Sequence, residues 1–174
     1  MILTLFNTNK DLCNAWAKEF STEIACGKVR VLCTDLHNLP KHQFTATAGN
    51  SYGIMDGGID LAFRNILGLE VQDKVQWFIA QYYHGFLPVG EAVVVETKHE
   101  KCGNLIYAPT MEYPMTVNEW SAFKAMLAIL VRTVQIGNVE SLAVCGLGTG
   151  IGGVPPELAA KMMKKAYDVC YGGG

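Results

Sequence analysis

The sequence predicts an α/β protein, a three-layer α/β/α sandwich around a mixed, largely parallel central sheet. Short apolar segments typical of strands alternate along the chain with longer segments whose apolar residues recur at helical spacing. Two strand segments, AVVV at 92–95 and LAVC at 142–145, are continuously apolar, as expected where helices cover both faces of a sheet. Half of the 174 residues are hydrophobic and 17% are charged, which favours one folded domain spanning residues 1–174.

The first half of the chain contains three predicted strands and three predicted helices. Thr8 or Asn9 can cap the first helix, which we expect to continue to about Ile24 with Leu12 and Trp16 on its apolar face. The predicted strands are 1–6, 29–33 and 44–48, and the later helices are 59–66 and 71–84. Asp35 and Asn50 are therefore expected in the loops that follow the second and third strands.

The second half repeats the alternation of strands and helices. Strands are predicted at 91–97 and 104–108, separated by a charged turn, and a last buried strand at 142–145. A long helix is predicted at 117–136, and Pro155, whose fixed φ suits a first helical turn, opens a terminal helix to about residue 170. We expect residues 172–174 to form an unstructured tail.

Composition excludes several classes of partner and site. The net charge of -2, with scattered lysines and arginines, gives no basic stripe, so nucleic acid is not expected as the main partner. Apolar runs such as 125–131 are too short to span a bilayer. The six cysteines include no CxxC pair, and the HxxC spacing of His99 and Cys102 has no second pair nearby, so we expect free thiols in a cytoplasmic protein and no metal site.

A glycine-rich stretch at 47–63, TAGNSYGIMDGGIDLAF, lies between a predicted strand and a predicted helix. Its four glycines allow positive φ angles and close approach of a ligand to the backbone. Asn50, Asp56 and Asp60 supply polar contacts of the kind that such a ligand uses. Ordinary turn chemistry remains the alternative interpretation of this stretch.

A second glycine-rich loop, GLGTGIGGVPP at 146–156, lies between the last strand and the terminal helix. Closely spaced glycines before a helix turn successive backbone N–H groups towards an anion, which predicts phosphate binding. Gly148, Gly150 and Gly153 match GxGxxG, but the motif comes late in the chain and the acid 20 residues on, Asp168, falls in a helix, which argues against a dinucleotide-binding fold. No GK[ST] follows, so a P-loop is absent, and tight helix packing remains the structural alternative.

Together, these loops resemble those of the macro domain family. The resemblance is carried by Asp35 after a strand, then TAGNS followed by Gly57-Gly58-Ile59-Asp60, then LGTGIGGVP at 147–155, and it extends from residue 29 to about 160. Members of that family are α/β/α sandwiches that bind ADP-ribose. The resemblance therefore implies the same fold and ligand for this chain, with no cofactor and a monomeric state.

The resemblance also implies roles for individual residues. Asp35 resembles the acid that accepts a hydrogen bond from the adenine amino group, and Asn50 the asparagine that contacts the distal ribose. A turn aspartate and an amide that ties down its own loop are the respective alternatives. The remaining implied ligand contacts are Leu36, the glycine-rich wall of Gly57, Gly58 and Ile59, and the diphosphate loop of Gly148, Thr149, Gly150, Ile151 and Gly152.

The chain departs from the family pattern at three places. Two consecutive glycines stand where many members have three or four, with Met55 and Asp56 in the other positions. Ala48-Gly49 precedes the asparagine, and Gly152 replaces an aromatic residue that usually flanks the distal ribose. These departures affect reaction specificity more than ligand binding.

A hydrolytic mechanism would place water between Asn50, a carboxylate and the phosphate of the ligand, while positive charge develops on the ribose. Asp60 is the first candidate for that carboxylate and Asp56 the second, although either can simply cap the following helix. No histidine is placed to activate Cys145. Three functions stay open: hydrolysis of an ADP-ribosyl group or derivative, in which a modified nucleic acid can be a substrate; dephosphorylation of ADP-ribose 1″-phosphate; and binding of ADP-ribose without turnover.

Overall fold

Six strands and six helices form within residues 1–172, the part of the chain that this computed structural model describes. The strands are β1 (Ile2–Asn7), β2 (Val29–Cys33), β3 (His42–Asn50), β4 (Val93–Glu96), β5 (Cys102–Met111) and β6 (Ser141–Cys145). The helices are α1 (Lys10–Glu19), α2 (Ser21–Ala25), α3 (Gly58–Leu67), α4 (Glu70–Tyr83), α5 (Trp120–Ile136) and α6 (Pro156–Tyr171).

The strands form one sheet in the order β2-β1-β6-β3-β5-β4. All neighbouring pairs are parallel except β4 with β5, which is antiparallel at one edge of the sheet. The predicted mixed, largely parallel sheet is thereby confirmed. The carboxyl ends of β1, β6, β3 and β5 lie side by side at one edge, where ligands bind in open α/β sheets.

Helices cover both faces of the sheet. The connection from β1 to β2 and the connection from β3 to β5 run in opposite directions along the sheet, so right-handed crossovers put α1 and α3 on opposite faces. Helix α6 packs between α1 and α5 on one face, and α3 packs against α4 on the other. These contacts give the predicted three layers.

The central strands are buried on both faces because they lie between two helical layers. Leu3 and Leu5 of β1 pair with Leu142 and Val144 of β6, and all four side chains are fully buried. Residues 105–108 of β5 are likewise buried in succession, not alternately. This pattern explains why the strand segments are continuously apolar in the sequence.

Several predicted boundaries were wrong. The first helix is capped by Asn9 as expected, but it breaks at Phe20, whose buried ring packs edge-on against Tyr167, and resumes as the short α2. β3 and β5 are longer than predicted, so Asn50 is the last residue of a strand and not a loop residue. Gly172, expected in a tail, donates its N–H to the Asp168 carbonyl at the end of α6, and residues 173–174 lie outside the described part of the chain.

The described residues contain few features beyond this sandwich. Cys13, Cys102 and Cys145 are buried free thiols, while Cys26 and Cys33 are exposed. Within residues 1–172 no group of three or more His, Cys, Asp and Glu side chains is placed to hold a metal ion. None of the six helices combines the length and apolar character that crossing a membrane requires.

Candidate functional site

A cavity of about 500 Å³ opens at the carboxyl ends of β1, β6, β3 and β5. Both glycine-rich stretches of the sequence contribute to it. Its lining consists of residues 7–9, 48–50, 54, 56–60, 62, 110–111, 114, 145–146 and 148–152. The cavity is thus formed where the connections of β1 and β3 leave the sheet in opposite directions, the usual place for a ligand in this class of fold.

The loop at 146–154 is held in a tight shape by its own backbone. The N–H of Val154 donates to the Gly148 carbonyl at 2.9 Å, and the N–H of Gly153 donates to the Gly150 carbonyl at 3.0 Å. The Gly152 carbonyl accepts from the N–H of Val117 at 2.9 Å, which ties the loop to the segment before α5. Gly148 has φ of 74°, a left-handed conformation that favours glycine.

The backbone amides of the four residues after Gly148 are available to bind an anion. Within residues 1–172 the N–H groups of residues 149–152 donate no hydrogen bond to the protein, and all four residues line the cavity. Backbone N–H groups without a protein partner, in a glycine-rich loop before a helix N-terminus, are suited to binding phosphate oxygens. The structure therefore places Gly148, Thr149, Gly150, Ile151 and Gly152 together at one wall of the cavity.

The facing wall contains the second pair of glycines. Gly57 has an extended backbone and precedes α3, while Gly58, with φ of 56°, is the first residue of that helix. A Cβ atom at either glycine would meet no atom within 4 Å, and both glycines line the cavity. Ile59, the next residue of α3, also lines the cavity.

Asn50 lines the cavity but also ties down its own loop. Its Oδ1 accepts from the N–H groups of Tyr52 at 3.1 Å and Ile54 at 3.3 Å, and its Nδ2 donates to the Ile54 carbonyl at 2.7 Å. Asn50 therefore has the structural role given above as the alternative, that of an amide which ties down its own loop. One Nδ2 hydrogen is left for a ligand, because the amide carries two and only one is used within the described residues.

Asp60 lies in the first turn of α3 with 4% of its surface exposed. Its Oδ1 accepts from the Thr47 hydroxyl at 2.8 Å. Burial raises the pKa of Asp60 to about 8, an effect that the hydrogen bond from Thr47 and the nearby Tyr107 hydroxyl only partly offset and that the Asp56 charge reinforces. At pH 7 this carboxyl group is therefore mostly protonated and can donate a proton. Asp56, in contrast, is exposed at the mouth of the same cavity.

The sequence did not indicate the importance of Tyr107. This fully buried residue of β5 crosses over Gly49, where a Cβ atom would lie 2.2 Å from the Tyr107 hydroxyl. The Tyr107 hydroxyl accepts from the N–H of Asn50 at 3.0 Å and donates to the Asn50 carbonyl at 2.9 Å. It thereby satisfies both backbone groups at the point where the β3–β5 register shifts. Only the pairing of β3 with β5 brings these residues together.

Gly49→Ala is expected to lower the free energy of unfolding by about 3 kcal/mol, because the added methyl group overlaps a buried ring that has no room to move. Urea denaturation measures the change. Gly103→Ala is the matched control in the neighbouring strand, since its new Cβ would meet only the Gln43 carbonyl, at an ordinary 3.6 Å. Equal losses in the two variants would contradict the packing that we describe.

Asn7 is a second cavity residue that sequence reasoning missed. Its Oδ1 accepts from the N–H of Asn9 at 2.9 Å, which fixes the orientation of the amide. Its Nδ2 and the Thr149 hydroxyl converge near Gly146, where a Cβ atom would lie 2.7 Å from each. The only signal in the sequence was an asparagine at the end of a strand, just before the helix cap Asn9. Helix capping already explains an asparagine at such a position, so Asn7 did not stand out.

Asp35 and Leu36 are not among the cavity-lining residues. Asp35 is exposed after β2, where its Oδ1 accepts from the backbone N–H and the side-chain amide of Asn38 at 2.8 and 2.9 Å. Leu36 is buried in the core. The turn role proposed as the alternative for Asp35 is present.

Cys145 lines the cavity, but its surroundings do not activate it. The side chain is buried at the end of β6, and burial together with the Asp60 charge raises the pKa of the thiol to about 12. A thiol with such a pKa is a poor nucleophile at neutral pH because almost none of it is ionised. The environment therefore favours a packing role.

The family model for the macro domain matches residues 46–163 of the chain. An uncharacterized protein of Aquifex aeolicus is 35% identical over 118 residues, which are 66% of each chain. One of Aeropyrum pernix is 31% identical over 146 residues, 82% of this chain and 74% of the relative.

Solved structures agree in fold. The macrodomain of Mycobacterium tuberculosis DarG superimposes with a TM-score of 0.66 at 22% identity, covering 78% of this chain and 87% of that one. A variant of the Oceanobacillus iheyensis macrodomain with ADPR gives 0.65 at 17% identity, covering 77% and 74%. The Trypanosoma brucei macrodomain in complex with ADP-ribose gives 0.60 at 19% identity, covering 76% and 54%. The family match over most of the chain, together with this shared fold, shows that the protein belongs to the macro domain family.

Proposed function

We propose that the cavity binds ADP-ribose and that the protein hydrolyses the bond between C1″ of the distal ribose and an attached group. The observation that carries the binding proposal is the set of four amides at 149–152, which have no partner within residues 1–172 and line the same cavity as Gly57 and Gly58. Two macrodomains of the same fold have been solved with this ligand. A diphosphate group suits these amides because its anionic oxygens accept hydrogen bonds from backbone N–H groups. Binding of this kind does not require a cation in the site.

The ligand then runs along the ends of the strands. With the diphosphate on residues 149–152, the distal ribose lies between Asn50 and the wall of Gly57 to Ile59. The adenosine half extends past Asn7 towards Asp35, whose free Oδ2 accepts from the adenine amino group. This arrangement uses every predicted ligand contact except the side chain of Leu36, which is buried.

Two carboxyl groups with different surroundings supply the proposed chemistry. Asp60 is buried and mostly protonated at pH 7, so it donates a proton to the departing group. Exposed Asp56 stands on the same side of the cavity and orients the attacking water while stabilising positive charge on the ribose. Such a division of roles between an acid and a carboxylate is the general solution for breaking glycosidic bonds.

The composition of the cavity disfavours a phosphatase. Among its lining residues there is no lysine, arginine or histidine to offset the charge of a terminal phosphate beside Asp56. Binding without turnover is the second candidate function. It is favoured by the neutral state and deep burial of Asp60, because a group held for structural reasons would show both.

Parallel incubations test the proposed reaction. The protein is mixed with ADP-ribosylated protein, ADP-ribosylated nucleic acid and ADP-ribose 1″-phosphate, and chromatography measures the ADP-ribose released. We expect release from at least one ADP-ribosylated macromolecule and none from the phosphate ester. Consumption of the ester alone would contradict the proposed bond cleavage, and consumption of no substrate would favour the binding module.

A further inference from the structure

Two neighbouring side-chain donors of the cavity have no hydrogen-bond partner within residues 1–172. They are Nδ2 of Asn7 and the hydroxyl Oγ1 of Thr149, and both residues line the cavity. The buried side-chain atoms without a partner in this part of the chain are Glu23 Oε2 and Arg64 Nε, so the two donors are accessible and not buried. A molecule that enters the cavity can therefore reach both of them.

The local geometry fixes where these donors point. The N–H of Asn9 donates to Asn7 Oδ1 at 2.9 Å, which holds the amide in one orientation and leaves both Nδ2 hydrogens unused. A Cβ atom at Gly146 would lie 2.7 Å from Asn7 Nδ2 and 2.7 Å from Thr149 Oγ1. The two donors are thus at most twice that distance apart, a spacing that the oxygens of one phosphate group can bridge.

The order of the strands places this pair of donors along the ligand. Asn7 ends β1 and Thr149 follows β6, and these two strands lie between β2, which precedes Asp35, and β3, which ends at Asn50. We place the adenine at Asp35 and the distal ribose at Asn50, so the diphosphate lies between them. The phosphate attached to adenosine is the part of the diphosphate nearest to the end of β1.

We propose that Asn7 and Thr149 bind the adenosine-side phosphate of the ligand through their side chains, and that Asn7 is a specificity-determining residue of the site. This inference rests on the proposed ADP-ribose binding and deepens it. An amide nitrogen only donates and a phosphate oxygen readily accepts, so the two match. The cavity lining has no lysine, arginine or histidine, and neutral donors of this kind supply the contacts that a cation would otherwise make.

Calorimetric titration with ADP-ribose and with adenosine 5′-monophosphate tests the contact. Asn7→Asp keeps the acceptor for the Asn9 N–H but replaces the donor with a carboxylate, so the affinity for both ligands should fall about 100-fold. Thr149→Val removes the hydroxyl while keeping the backbone amide and the size of the side chain, and should weaken both ligands about fivefold.

Asn9→Asp is the matched control for Asn7→Asp. It makes the same chemical change two residues away, at an exposed residue that also lines the cavity. The helix cap is kept, because Oδ1 of Asn9 accepts from the N–H groups of Asp11 and Leu12 and an aspartate caps equally well. Its charge is screened by solvent, so the affinities should fall by less than about threefold.

The outcomes separate this inference from the proposed function. Equal losses of affinity in Asn7→Asp and Asn9→Asp would overturn the contact while leaving ADP-ribose binding in place. Wild-type protein that binds the monophosphate but not ADP-ribose would reject the proposed function, and the monophosphate series would still test Asn7. If Asn7→Asp does not fold, Thr149→Val decides, because full affinity in that variant is incompatible with our proposal. Absence of binding for both ligands would reject the inference together with the function.

Discussion

Asp60→Asn is expected to lower the rate of ADP-ribose release by about 100-fold or more, the usual contribution of a general acid. Its affinity for ADP-ribose near pH 6.5 should change less than about threefold, because the asparagine keeps the size of the side chain and an acceptor for Thr47. Single-turnover kinetics and calorimetry measure the two effects separately. Loss of turnover with retained binding is the result that distinguishes a proton donor from a helix cap.

Asp73→Asn is the matched control for the helix-cap alternative. Asp73 is an exposed acid in the first turn of α4, as Asp60 is an acid in the first turn of α3, but it lies outside the cavity. Removal of a charge that merely favours a helix dipole costs a few tenths of a kcal/mol and leaves the reaction unaffected. Similar turnover in Asp60→Asn and in this control would remove Asp60 from the mechanism.

The raised pKa of Asp60 predicts that both the reaction rate and the stability of the wild-type protein depend on pH. Because an acid must be protonated to donate, the rate should fall as the pH rises through about 8. The folded-state pKa is raised above the ordinary 3.8, so the folded state binds the proton more tightly than the unfolded chain. This contribution to stability is complete at low pH and is lost as the pH rises from about 4 to about 8. Urea denaturation of Asp60→Asn should show a flatter profile in that window.

Gly57→Leu should weaken ADP-ribose binding by about 100-fold or more. The backbone at Gly57 is extended, with φ of -153°, so any residue can adopt its conformation, and the leucine would enter the open space of the cavity. That space is where we place the ligand opposite the amides of residues 149–152. Folding should change little, by about 1 kcal/mol or less, because Gly57 is an N-cap position without a capping side chain.

Comparison of Gly57→Ala with Gly57→Leu separates the effect of side-chain size on ligand binding from the effect of replacing the glycine cap. Gly57→Ala changes the same cap but adds only one methyl group, so it should retain most of the affinity while matching the leucine variant in unfolding free energy. Calorimetry with ADP-ribose and urea denaturation of both variants provide the data. Full affinity in a folded Gly57→Leu would mean that the ligand does not lie along this wall.

Local signals explain why much of this protein could be predicted from its sequence. The continuously apolar strands follow directly from a sheet covered on both faces. The glycines at 57–58 and 148–153 stand out in the sequence, and Gly58, Gly148 and Gly153 do have positive φ. The structure brings the two glycine-rich stretches to one cavity. The residue types in the two glycine-rich stretches already indicated the walls of a binding site. The resemblance to the macro domain family then supplied the expected ligand, ADP-ribose.

The remaining features depend on contacts that are distant in sequence. Tyr107 meets Asn50 across 57 residues, and only the register of β3 and β5 places its hydroxyl there. The protonation of Asp60 depends on burial, which an acid in a glycine-rich stretch does not reveal. Gly152, which the sequence presented as the loss of an aromatic residue, lies in a loop so tight that a Cβ would be 2.6 Å from the Gly148 carbonyl.

Calorimetric titration of the wild-type protein with ADP-ribose at pH 6.5 tests the central claim most directly. We expect binding of one ligand per chain, with Gly57→Leu reducing the affinity and free adenosine, which lacks the diphosphate, binding far more weakly. The contrast between the two ligands isolates the contribution of the amides at 149–152. Absence of heat at ADP-ribose concentrations far above those of the protein, or equal affinity for adenosine, would contradict the account.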